Sequence, residues 1–150
     1  MVISNYFNTY TTILLLITSF YACTKEEYDV VVHSVKVAHI KPGFNWDQDN
    51  NADLYFEIFT GDVLKYHQDT IVWNAVTSLP HDFEIEEFTL EEATKKHQFL
   101  LLDYDPIGVD TLEVIDFVPH KKHADEFPPL LRLTSPEGTE IEMEVTYVPK

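Results

Sequence analysis

Leu131-Arg-Leu-Thr-Ser-Pro-Glu-Gly-Thr-Glu-Ile-Glu-Met-Glu-Val-Thr-Tyr147 is the stretch on which the fold class turns. Ile141, Met143, Val145 and Tyr147 alternate with Glu140, Glu142, Glu144 and Thr146. A period of two marks a strand with one face in a core and one in water, because successive side chains leave the pleat on opposite sides. Leu131 and Leu133 carry the same alternation ahead of Pro136-Glu-Gly138, a turn, so the segment reads as a β-hairpin.

Outward from that hairpin the chain keeps to short strands broken by turn residues. Tyr28–Ile40, rich in valine, is a long first strand ended by Lys41-Pro-Gly43. Leu54–Thr60 and Asp62–Asn74 flank Gly61 as a second hairpin. Phe83 and Ile85 share one parity and Phe88 and Leu90 the other, so Glu86-Glu87 shifts the phase as a bulge does. Glu91–His97 is helix-like but too short to be more than a connector. Phe99–Leu102 is apolar on both parities, as in a central strand, and Thr111–Val118 is a further strand. All four glycines, Gly43, Gly61, Gly108 and Gly138, fall at expected turns. The expectation is all-β: an eight-stranded antiparallel β-sandwich spanning 30–150 as one domain.

The chain has 150 residues, 45% of them apolar, which suits one globular domain with an ordinary core. Its formal net charge is −16, with 26 acidic and 10 basic residues. That balance argues against a nucleic-acid partner, which needs a basic face, and against simple electrostatic docking on anionic lipid. Enzyme signatures such as Gly-x-Ser-x-Gly, His-Glu-x-x-His and a phosphate-cradling glycine loop do not occur, and the expectation is a non-catalytic protein.

Residues 1–22 carry no charged side chain, and Ile13-Leu-Leu-Leu-Ile17 lies in an apolar run too short for a membrane span. It matches a secretory signal better. Phe20-Tyr-Ala-Cys23, with a small residue before the only cysteine, resembles the lipobox of bacterial lipoproteins, which implies cleavage before Cys23 and lipidation of its thiol. Cys23-Thr-Lys-Glu-Glu27 resembles the surface-export signal of Bacteroidota lipoproteins. A plain signal peptide or an uncleaved anchor are the alternatives. The expected organisation is a signal over 1–22, a lipidated cysteine and acidic tether over 23–29, and lipid anchoring in the outer membrane facing the cell exterior.

Two aspartate clusters lie at the ends of strand-like runs. Asp47 and Asp53 are six residues apart; Asp103, Asp105 and Asp110 follow the apolar run Phe99–Leu102. Brought together, like charges about 5 Å apart at an effective dielectric near 20 repel by roughly 3 kcal/mol per pair. Such a site is held by a cation or by protonation, and calcium accepts irregular loop geometry better than magnesium does.

With strands and aspartates placed, the sequence resembles a C2 domain over most of Val30–Tyr147. Asp47, Asp53 and Tyr55 follow the family's first-loop pattern, with Leu54 in place of a proline. Leu101-Leu-Asp-Tyr-Asp105 followed by Asp110 matches its later Asp-x-Asp segment, with a gap one residue shorter. The resemblance implies an eight-stranded sandwich whose loops at one end hold calcium. It further implies Ca2+ ligation by Asp47, Asp53, Asp103, Asp105 and Asp110, and a phospholipid or protein ligand; open coordination positions on the ions would equally take a glycan carboxylate. The stretch corresponding to the family's lysine-rich strand offers only Lys65 and His67, which speaks against a phosphoinositide patch.

Competing readings share these residues. Asp47, Asp49, Asn51 and Asp53 start like an EF-hand loop, but Ala52 and Ile58 stand where glycine and glutamate are required. Every aspartate also suits a solvated turn, and Asp49 is read that way. His120-Lys-Lys-His123 reads as a surface loop, its lysines disfavouring a metal. Phe44 and Trp46 fit either an exposed loop tip or the core. The alternative function is a metal-free structural or assembly lipoprotein that binds a partner protein through its sandwich faces.

Topology adds one expectation. The first strand runs from the tether toward the first aspartate loop over about 40 Å, and Thr24–Asp29 reaches at most ~20 Å. Anchor and aspartates therefore belong at opposite ends.

Overall fold

The computed structural model describes residues 27–41, 53–72, 79–105, 108–121 and 127–150. Among these residues nine strands follow one another: β1 (Tyr28–His39), β2 (Leu54–Thr60), β3 (Val63–His67), β4 (His81–Phe83), β5 (Phe88–Leu90), β6 (His97–Asp105), β7 (Gly108–Phe117), β8 (Leu130–Thr134) and β9 (Glu140–Pro149). They form two antiparallel sheets, β4-β1-β9-β8 with β5 also on β1, and β3-β2-β6-β7. The sheets face each other as a sandwich, with β3 against β5 along one margin and β7 against β8 along the other.

The expectation of an all-β sandwich holds, and the strand count is nine where eight were expected. The difference lies at Glu84–Glu87. Both β4 and β5 pair with β1, Val35 opposite Phe83 and Val32 opposite Phe88. The two β1 residues between Val32 and Val35 are thus faced by four on the partner, Glu84–Glu87, and the surplus splits one strand in two. The phase change read at Glu86-Glu87 is this interruption.

Alternation decides what enters the core. Val30, Val32, Val35 and Val37 face inward from β1, with a slip because His33 and Ser34 together oppose one β9 residue. Ile141, Met143 and Val145 of β9, and Leu131 and Leu133 of β8, complete that wall. The other wall is Leu54, Phe56 and Ile58 on β2, Phe99 and Leu101 on β6, and Leu112, Ile115 and Phe117 on β7. Phe56 is its hub, stacked on Phe99 at 5.1 Å and on Tyr66 at 5.4 Å and meeting Phe83 of the facing sheet edge-on at 4.9 Å. Tyr66 in turn stacks on Phe88 across the sheets at 3.9 Å.

The turns are as chemistry requires. Gly61 (φ 59°) and Gly138 (φ 101°) occupy the left-handed half of backbone space, where a Cβ is unwelcome. Gly108 instead opens β7, and Gly43 lies outside the described residues. Residues 91–96 form a turn in which the Lys95 amide donates to the Glu92 carbonyl. Two strand ends differ from the sequence reading. β3 stops at His67, after which the buried Gln68 turns its amide onto the Glu84 carbonyl at 2.8 Å. β7 begins at Gly108 because Val109 and Asp110 pair with Tyr104 and Asp103 and extend the β6–β7 hairpin.

β1 sets the polarity of the molecule. At Tyr28 the carbonyl accepts from the Ala93 amide at 2.7 Å, just ahead of the His97 end of β6. Asp103 lies six residues further along β6, roughly 20 Å away. Tyr28 and Asp103 are at opposite ends, as the topology required.

Candidate functional site: an acidic pole

Asp53, Asp103, Asp105 and Asp110 share one end of the β3-β2-β6-β7 sheet. Register places them there. Leu54, which follows Asp53, is opposite Asp103, and Asp103 is opposite Asp110 on its other side. Asp105, two residues on, pairs with Gly108 at the tip of the β6–β7 hairpin. Two segments some fifty residues apart in sequence thus meet at one pole. Asp47 and Asp49 lie outside the described residues, as do Phe44, Trp46, Cys23 and the whole of 1–22.

Hydrogen bonds fix the junction. The Asp53 amide donates to Asp103 Oδ1 at 2.7 Å, and the Tyr104 amide donates to the Asp53 carbonyl at 2.9 Å. Asp103 is therefore a structural acceptor as well as a charge, and it is only 3% exposed. Asp53 and Asp105 are half-buried and Asp110 is exposed. Like charges directly across a pair of strands are unfavourable, so the Asp103–Asp110 pairing weakens the hairpin at this end.

The donor set suits a hard cation, being carboxylate oxygens throughout. Yet among the described residues no group of three or more Asp, Glu, His or Cys lies close enough to hold a metal ion. The four aspartates line a rim, and a full oxygen shell would need donors from the segment that carries Asp47.

Sequence reasoning missed a second feature of this pole. Lys41, just past β1, donates through Nζ to Glu137 and lies 3.8 Å from Glu113, and its amide donates to Thr139 Oγ1 at 3.2 Å. Glu113 also accepts from Ser135 Oγ at 2.9 Å. Donating its hydrogen bond to Glu137 holds the Lys41 ammonium above its usual pKa. The network ties β1, β7 and the β8–β9 turn together next to the aspartates. Its one visible signal was Glu113, an acid in the otherwise apolar Leu112-Glu-Val-Ile115.

The remaining sequence candidates resolve differently. Leu54–Phe59 is strand β2, so no helix leaves the would-be EF-hand loop. Lys65 pairs with Glu91 at 3.1 Å and His67 with Glu57 at 2.9 Å, leaving no basic patch on β3. His120 stacks on Phe127 at 4.3 Å, and the second histidine of its motif, His123, is outside the described residues. Among the described residues no helix is long and apolar enough to cross a membrane.

No protein-family model matches this chain, and no curated protein matches it. Among solved structures the chain is similar to one described as the structure of a C2 domain, at 16% identity over 80% of this chain and 97% of that one, with a TM-score of 0.47. It is also similar to a C2 domain of plant extended synaptotagmin 1, at 16% identity over 83% of this chain and 95% of that one, with a TM-score of 0.44.

Proposed function

We propose that this protein is a non-catalytic, exported binding module whose acidic pole takes up Ca2+ and presents it to a lipid, glycan or protein ligand. The observation that carries the reading is the meeting of Asp53 with Asp103, Asp105 and Asp110 at one end of one sheet. Asp47 would complete the set. Bound cations would offset the repulsion that this crowding imposes and rigidify the rim, and any coordination position left open would accept an acidic group of the ligand. The domain hangs from lipidated Cys23 at the outer membrane in this reading, with the pole directed away from the bilayer because Tyr28 lies at the other end.

A second reading draws on the bond from Asp53 to Asp103 and on the lack of a three-carboxylate group among the described residues. In it the pole is a metal-free joint of an assembly lipoprotein. A thermal melt in calcium and then in chelator separates the two. A rise in Tm that is lost in Asp103→Asn/Asp105→Asn supports the cation module, and an unchanged Tm supports the joint.

A further inference from the structure

β7 is irregular between Glu113 and Asp110, and that irregularity sets the acidic rim. Glu113 and Thr111 oppose the consecutive residues Leu101 and Leu102, so Leu112 is the surplus residue of a β-bulge. Without it, Thr111 would come opposite Asp103, and Asp110 would come opposite Tyr104 on the other face, because a slip of one residue reverses every side chain. With it, Asp110 stands opposite Asp103.

The bulge turns two successive side chains inward. Leu112 is buried in the core, and Glu113 lies across from the fully buried Leu101 with its side chain only 11% exposed. A carboxylate directed into a sandwich is costly unless it is paired. Its partners come from the facing sheet: Ser135 Oγ donates to it at 2.9 Å, and Lys41 Nζ lies 3.8 Å away. Ser135 is itself buried, and its Oγ accepts the amides of Glu137 at 3.3 Å and Thr139 at 3.1 Å. Lys41 is fixed by Glu137 and by its own amide on Thr139 Oγ1. The β8–β9 turn and the end of β1 thus form a socket for the bulge of the other sheet.

We infer that Lys41 and Ser135 are positioning residues of the acidic pole: by pairing Glu113 across the sandwich they hold the bulge that aligns Asp110 with Asp103, and so set the affinity for the cation. This role presupposes calcium uptake at the pole, as proposed above. Positioning and charge act on affinity with opposite signs at Lys41. Asp110 is three residues along β7 from Glu113, about 10 Å away. Removing an ammonium at that distance from a divalent ion would by charge alone tighten binding, by a factor of roughly two or less. Loss of the bulge weakens it.

Calcium is titrated into the protein and its variants well below their melting temperatures, with the Asp53 and Tyr104 amides reporting Kd. Lys41→Met and Ser135→Ala should each bind roughly three- to tenfold more weakly than the parent, less than the loss typical of a group bonded directly to a ligand. Lys36→Met, which removes a cation paired with Glu142 on the outer face of the β1 sheet, should stay within about twofold of the parent. In chelator the Asp110, Thr111 and Leu112 amides of Lys41→Met and Ser135→Ala should already be displaced, and those of Val32 and Met143 should not. A parent without saturable shifts at several millimolar calcium would refute calcium uptake and the positioning role with it. A parent that binds, combined with Lys41→Met as tight or tighter, with Ser135→Ala unchanged, with unmoved bulge amides, or with Lys36→Met as weak as Lys41→Met, would overturn the positioning role alone. Should Lys41→Met fail to fold, Ser135→Ala, which alters no charge, decides between these outcomes.

Discussion

Asp103 can be split into its two roles by substitution. Asp103→Ala removes the acceptor for the Asp53 amide, a partly buried donor at 2.7 Å. Leaving such a donor unpaired costs about 1–3 kcal/mol, and partial burial favours the lower half of that range. For a domain of this size that is a fall in Tm of roughly 4–10 °C. Asp103→Asn keeps an acceptor oxygen and removes the charge facing Asp110. It gives up some strength of a charge-assisted bond and gains relief of a like-charge pair worth ~0.2–1 kcal/mol. In chelator Asp103→Asn should therefore stay within about 1 kcal/mol of the parent while Asp103→Ala falls clearly below it. Calcium then separates charge from hydrogen bonding. A site with Kd near 10⁻⁴–10⁻³ M would add about 0.6–1.8 kcal/mol at ~2 mM calcium, and neither variant should gain it. Differential scanning calorimetry of the parent and both variants in the two buffers measures every state. An asparagine as damaging as alanine in chelator would refute the hydrogen-bond assignment, and a calcium gain retained in Asp103→Asn would refute its part in cation binding.

Three further outcomes concern the frame. Phe56→Ala, at the hub of Phe99, Tyr66 and Phe83, should cost about 3–5 kcal/mol by chemical denaturation. Gly138→Ala should destabilise by about 1 kcal/mol or more through backbone strain, since φ is 101° there, and a gain would contradict the turn assignment. His97, fully buried with Nδ1 bonded to Thr60 Oγ1 at 2.7 Å, has its pKa pushed down by burial. The unfolded chain then binds the proton more readily, so stability is full above about pH 6.5 and declines as pH falls toward the lowered folded value. Denaturation midpoints at several pH values should show that slope, and His97→Gln should flatten it.

The strands were legible wherever burial is one-sided. In β9 glutamates mark the wet face residue by residue, and no other structure fits that spacing. The interruption between β4 and β5 was legible because Glu86-Glu87 moves the apolar parity. The slip in β1 was not, since Val30, Val31 and Val32 are consecutive and conceal which of them faces in. Phe99–Leu102 read as a strand covered on both faces; on its outward parity Leu102 is buried and Leu100 half-buried, a difference that composition does not carry. At the pole, strand-end positions revealed that Asp53 and Asp103 converge. They could not reveal that one Asp103 oxygen receives the Asp53 amide, because an aspartate that ligates and one that caps a backbone have the same surroundings in sequence. The Lys41–Glu113–Glu137 network was hidden for another reason: its members come from three elements whose packing is set by the core.

A calcium titration followed by backbone amide shifts tests directly whether the acidic pole binds the ion. Saturable changes are expected at Asp53, Tyr104, Val109 and Thr111 below millimolar excess, with Tyr28, Ala93 and Lys150 at the far end unmoved. Unchanged spectra at several millimolar calcium, or small unsaturated shifts scattered over every exposed carboxylate, would contradict it.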